Sequence, residues 1–236
     1  MIVWETLNRA IFEYCDASHN RKRPIGCEPY DSPAARRLSL ATSGEASKLF
    51  LIVFCYAEKE VDMEWSDILT DGYNRVPEYL GSILEGLTAE DLKWQPGRDA
   101  NSIGWLAWHL TRQHDAQVAD LMEDEQLWVR DGWAKKFKRP VDRRDTGFGD
   151  TPEQVAAFEP PDNPTVLGYQ KAVTERTLGY IRSLSSADLD RELGGPWTPT
   201  PTVGVRLVSI LEDAVIHAGQ AAYVRGLLQG RGWQPY

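Results

Sequence analysis

Residues 203–230, VGVRLVSILEDAVIHAGQAAYVRGLLQG, decide the reading of this chain. Leu207, Ile210, Leu211, Ala214, Ala218, Ala221 and Leu228 recur at helical spacing on one face, which predicts one long amphipathic helix. PWTPTPT before it and GRG after it supply the start and stop signals. Within it, Asp213 and His217 stand one turn apart on the same side. An acid and an imidazole so placed can share a metal ion once a third ligand arrives from elsewhere.

The third ligand is expected from NSIGWLAWHLTRQHDAQVADLM, residues 101–122. Its apolar face is Ile103, Leu106, Ala107, Leu110 and Val118, and His109 borders that face. His114 projects about 140° away from His109 around the same helix, so one site cannot use both. A metal held by His109, Asp213 and His217 across two packed helices is therefore the central expectation. The competing structural reading is a hydrogen-bonded acid–histidine pair and a core-edge histidine. Two details favour a site: the small neighbours Ala214, Ala218, Gly219, Ala221 and Ala222, and the cost of an unpaired imidazole beside an apolar face.

Other residues are placed around this centre. Gln220, one turn beyond His217, is expected to orient a ligand or support the imidazole. Arg206 and Arg225 are candidates for a substrate carboxylate, with surface ion pairs as the alternative. Trp105, Trp108 and Tyr223 are candidate walls of an apolar pocket, with core packing as the alternative. The run from Arg143 to Asp145 can meet an anion or simply be solvated.

The flanking pattern is helical throughout residues 63–236. Helix one is expected at 64–86, with Ile68, Leu69, Val76, Leu80, Ile83, Leu84 and Leu87 on its apolar side and a kink or break at Pro77. TAED at 88–91 reads as a capping box for a short turn. Helix two is expected at 102–122, helix three at 164–184 and helix four at 203–230. Residues 123–163 form a long crossover with a short helix after Thr151. The expected fold is all-α, a four-helix bundle.

Residues 1–62 differ. They lack sustained periodicity and carry several prolines and glycines, so they are expected to be a poorly ordered extension, or upstream sequence ahead of a true start at Met63. They hold all three cysteines, Cys15, Cys27 and Cys55, and His19. An odd cysteine count without C-x-x-C argues against a disulfide framework or a thiolate metal site. Any sulfur chemistry in residues 63–236 must then use a thiol from outside.

The bulk properties narrow the partners. With 236 residues, 42% hydrophobic and 26% charged, the composition is that of a globular protein. A net charge of −9 makes nucleic acid an unfavourable partner. No apolar run approaches the ~20 residues of a membrane helix, so neither membrane insertion nor a secretory signal is expected and a cytoplasmic location is the default. Apolar helix faces left over by the bundle allow a homodimer.

SIGWLAWHLTR at 102–112 and DAVIHAGQAAYVRGLL at 213–228 resemble the two signatures of the DinB-like helical-bundle superfamily, which includes YfiT-type bacillithiol transferases and mycothiol-dependent maleylpyruvate isomerases. The resemblance covers about residues 63–236. It implies an up-down-down-up bundle, with a long crossover between helices two and three and a divalent metal at one end. The two family histidines fall on His109 and His217. Many members carry a third histidine where this chain has Asp213, and the mycothiol-dependent relatives carry an acid there. The resemblance thus implies transfer of a low-molecular-weight thiol, mycothiol-like, to a small electrophilic substrate, with detoxification as the implied role. Zinc suits a soft thiolate, while His and carboxylate also accept nickel, iron or manganese. A metal-dependent hydrolase on the same residues, and a bundle that binds metal or ligand without catalysis, are the alternatives.

Overall fold

The structure is a computed structural model that describes residues 63–230 together with 232 and 233. The expectations for residues 1–62 lie outside the described residues. Four long helices carry the fold: α1 (Trp65–Leu84), α3 (Ile103–Met122), α7 (Asn163–Ser183) and α8 (Val203–Gln229). Short helices α2 (Ala89–Lys93), α4 (Leu127–Arg130), α5 (Trp133–Lys136) and α6 (Pro152–Ala156), and a 3-10 turn at Ser186–Asp190, connect them. The described residues contain no strand, only an isolated bridge between Glu192 and Thr202.

Local chemistry fixes the helix starts. The hydroxyl of Ser102 accepts from the backbone of Trp105 and opens α3. Thr88 and Asp91 exchange bonds in a capping box on α2, and Thr151 and Gln154 do so on α6. The Asp162 carboxylate and the Thr202 hydroxyl cap α7 and α8. Each such cap satisfies an amide that has no partner within its own helix.

The last four carbonyls of α1 are satisfied in another way. The Glu85 amide donates to Gly81, and the Leu87 amide and Asn163 side chain donate to Leu84. The Arg225 guanidinium donates to the Ser82 and Ile83 carbonyls, at 2.7 and 2.8 Å. Pro77 neither breaks nor ends α1, which runs through it unbroken. Val76 and Leu80, both fully buried, hold the helix on either side of that proline. Ile68, expected on the apolar side, is 60% exposed. It lies one position off the stripe continued by Leu69, and one position is about 100° of rotation.

Each of α1 and α3 packs against both α7 and α8. Tyr73 meets Leu207 and Ile83 meets Arg225, so α1 and α8 run in the same sense. Gln117 meets Arg206 and His109 meets His217, so α3 opposes α8. Thr111 meets Gln170 and Leu121 meets Tyr180, so α3 and α7 run together. The core has two apolar clusters. One gathers Leu80, Leu106, Trp108, Trp128, Tyr169 and Ala218, and the other Tyr73, Val118, Ile181, Leu207 and Ile210.

Helix α3 is buried on nearly every face rather than on one stripe. The cause is the crossover, which wraps its outer side and is held by two buried charges. Arg112 donates to the carbonyls of Arg143 and Asp145, to Gln126 and to the Tyr169 hydroxyl. Asp115 accepts the backbone amides of Leu127 and Trp128, at 3.0 and 2.8 Å, and so caps α4. Both side chains are fully buried, yet they have partners enough to repay desolvation.

Candidate functional site

His109 comes from the middle of α3 and is 5% exposed. Trp105, one turn earlier, stacks flat against its ring, with centroids 4.6 Å apart and planes at 12°. The Trp105 indole in turn donates to the Asp150 carboxylate at 3.0 Å. His109 Nδ1 faces the Thr146 carbonyl. A carbonyl only accepts, so Nδ1 carries the proton and Nε2 of the neutral ring keeps its lone pair.

From α8, His217 meets His109 edge-on, with ring centroids 4.7 Å apart and planes at 80°. His217 Nδ1 donates to Gln220 Oε1 at 2.7 Å. Its Nε2 faces Asp213 Oδ1 at 3.5 Å. The two side chains keep 18% and 37% exposure, so the cluster opens to solvent on the α8 side.

The two histidines are tuned in opposite directions. Burial pushes His109 below its ordinary value, opposed by its bond to Thr146 and reinforced by the charge of His217. The bond to Asp213 pulls His217 upward, against partial burial. His109 is thus held neutral, as a metal ligand must be, while His217 shares its charge with Asp213.

Two imidazoles and a carboxylate are donor types that divalent ions accept. Each imidazole gives its Nδ1–H to an oxygen, the outer bond that metal-ligating histidines make; Nε2 of His109 keeps its lone pair, and Nε2 of His217 is turned to Asp213. With bonds of 2.0–2.1 Å, two ligands of a tetrahedral ion lie about 3.4 Å apart, close to the separation of His217 and Asp213. Among the described residues no set of three His, Cys, Asp or Glu side chains already stands at ligand spacing. Asp213 reaches His217 alone, so a third bond requires His109 and the pair to draw together.

Other sequence-predicted residues are placed differently. Gln220 supports the His217 ring. Arg206 bonds Gln117 at 3.2 Å, about two turns before Asp213 along α8. Arg225 is not available to a substrate: it is buried, spans α1 and α8, and lies over Trp233. Trp105 walls His109, whereas Trp108 is fully buried in the core against Phe158 and beneath Arg139. Tyr223 is 70% exposed and lines a groove beside Gln220. Asp145, expected in a solvated charge run, makes a paired contact with Arg139 at 2.7 Å for both bonds. His114 is buried against Tyr73 and bonds Thr177, away from His109.

Sequence reasoning missed what the crossover contributes. Thr146, Gly147 and Asp150 come from it and close over His109 and Trp105. The TGFGD run at 146–150 held the signal, because its two glycines adopt φ of +82°. At Gly147 a Cβ would lie 2.8 Å from the Trp108 ring and 2.9 Å from His109 Nδ1.

None of the described helices is long and apolar enough to cross a membrane. Among curated proteins no match is found. A crystal structure of a conserved protein from Enterococcus faecalis is similar, with 30% sequence identity and a TM-score of 0.66. The similarity covers 72% of this chain and 99% of that one. The DinB superfamily profile matches residues 73–221, a span that includes His109, Asp213 and His217. The helical architecture and this match agree: the chain belongs to the DinB superfamily.

Proposed function

We propose that the chain is a divalent-metal-dependent transferase that adds a low-molecular-weight thiol, mycothiol-like, to a small electrophile. His109, Asp213 and His217 hold the ion, and zinc is the expected metal. One observation carries this reading: the His109 and His217 rings, each oriented through its Nδ1, meet edge-on beside the Asp213 carboxylate at the solvent edge of the bundle. Three ligands leave a position for an exogenous group. A bound ion there supplies the means to hold an incoming thiol as its thiolate. Residues 63–236 contain no cysteine, so the bundle itself supplies no thiol.

The chain's own groups do the positioning. Thr146 and Gln220 fix the two imidazoles, and Trp105 shields one side of His109 from water. Elemental analysis of the purified full chain beside His217→Ala tests the reading. Near-stoichiometric zinc in the parent, lost in the variant along with transfer from mycothiol or bacillithiol, is the expected result. A His217→Ala protein that keeps both its metal and its full transfer activity refutes it.

A further inference from the structure

A groove of about 610 Å³ opens one turn beyond His217. Pro96 and Asn101 come from the loop before α3, Leu106 from α3, and Ile216, Tyr223 and Leu227 from α8. Gln220 lines it as well, and the same side chain accepts the His217 Nδ1 proton. The groove is therefore continuous with the candidate site through one residue. Among the described residues no charged side chain lines it.

We propose that this groove takes the uncharged, apolar body of the substrate, an aromatic or branched aliphatic electrophile whose reacting end lies at the histidine pair. Three observations converge. First, Ile216, Tyr223 and Leu227 stay 50%, 70% and 50% exposed, a clustered apolar surface that an apolar ligand would cover. Second, the volume lies in the range of about 300–1,000 Å³ that small-molecule sites occupy.

Third, Gly219 sits inside α8 on the groove wall, where glycine costs about 1 kcal/mol relative to alanine. A Cβ there would meet no atom within 4 Å. No packing contact calls for glycine, and its bareness keeps the groove open. A hydroxyl-rich thiol cofactor would find few polar partners on these walls. The groove is matched to the electrophile, and the thiol approaches from outside it.

This inference rests on the proposed reading of His109, Asp213 and His217 as the reacting end. Its test runs without metal or thiol, so the two fail separately. The full chain in chelator is titrated with N-phenyl-1-naphthylamine, a neutral aromatic whose fluorescence rises in apolar surroundings. Wild type is expected to bind one equivalent. Gly219→Leu, which fills the groove with a better helix former, is expected to bind at least about tenfold more weakly without a lower Tm. Val208→Ser, farther back along α8 at another exposed apolar position, leaves binding unchanged.

Equal affinity in wild type and Gly219→Leu overturns the proposal, as does an equal loss in Val208→Ser or no binding by wild type. A wild-type dimer that Gly219→Leu dissociates overturns it too, in favour of a second copy of the chain on this surface.

Discussion

Replacing Gly147 with alanine tests how the crossover braces His109. The residue adopts φ of +82°, where a side chain costs roughly 1–2 kcal/mol. The new methyl would also stand 2.8 Å from the Trp108 ring, 2.9 Å from His109 Nδ1 and 2.9 Å from the Trp105 ring. None of these rings can swing away: Trp108 is fully buried, and Trp105 and His109 are stacked and bonded on both sides. Overpacking against such groups costs roughly 1–3 kcal/mol. Gly149 supplies the control, with the same φ of +82° and nothing within 4 Å of its Cβ position. Gly149→Ala therefore bears the backbone cost alone, and Gly147→Ala is expected to fall a further ~1–3 kcal/mol below it. Urea unfolding of the full chain, followed by far-UV circular dichroism, measures both, with unchanged m-values identifying a true stability loss. Variants equal within about 0.5 kcal/mol would show that the loop yields freely and does not brace His109.

Three further outcomes are expected. Gln220→Ala, which frees the His217 ring, should weaken zinc binding about 10- to 100-fold in chelator competition, and an unchanged affinity would remove Gln220 from the site. Arg225→Lys should destabilise by about 2 kcal/mol in the same urea assay, because one ammonium cannot reproduce the fork that reaches two carbonyls of α1 and Gln229; wild-type stability would refute that bracing role. Burial holds His114 down at about 3, far below the 6.5 of a free imidazole. Between those values the unfolded chain takes up a proton that the folded chain refuses, so His114 costs stability progressively as pH falls below about 6.5, at up to about 1.4 kcal/mol per pH unit. The difference in unfolding free energy between wild type and His114→Phe should carry that slope between pH 6.5 and 4, and a pH-independent difference would refute it.

The sequence reading located the four long helices to within two residues at each end, because their limits are chemical. Ser102 and the proline run before Thr202 mark the starts of two long helices, and Thr88 and Thr151 those of two short ones, through caps and breakers that act locally. The meeting of His109 with His217 was legible for a similar reason, since each borders the apolar stripe of its own helix and stripes pack together. The crossover was not legible. Its course depends on Arg112 and Asp115, which read as polar positions on a half-exposed helix until the segment they anchor is folded over them. Arg225 was misjudged for the same reason: its partners are carbonyls more than a hundred residues away, and no local pattern records them. Ile68 shows the limit of periodicity, which fixed the stripe but not its first member.

The bond from Arg225 to the Ile83 carbonyl spans 142 positions. During synthesis two carbonyls at the C-terminal end of the first long helix, those of Ser82 and Ile83, must wait for the last helix before they are satisfied. At about 5–20 residues per second, the ribosome takes about 7–30 s to cover that distance. For that interval α1 can coil but cannot be sealed, and its apolar face stays open to other chains or to a chaperone. The domain therefore completes itself late, when nearly all of its residues have emerged. A ribosome stalled before Arg225 would display a helix end with the Ser82 and Ile83 carbonyls unpaired, a ready mark for quality control.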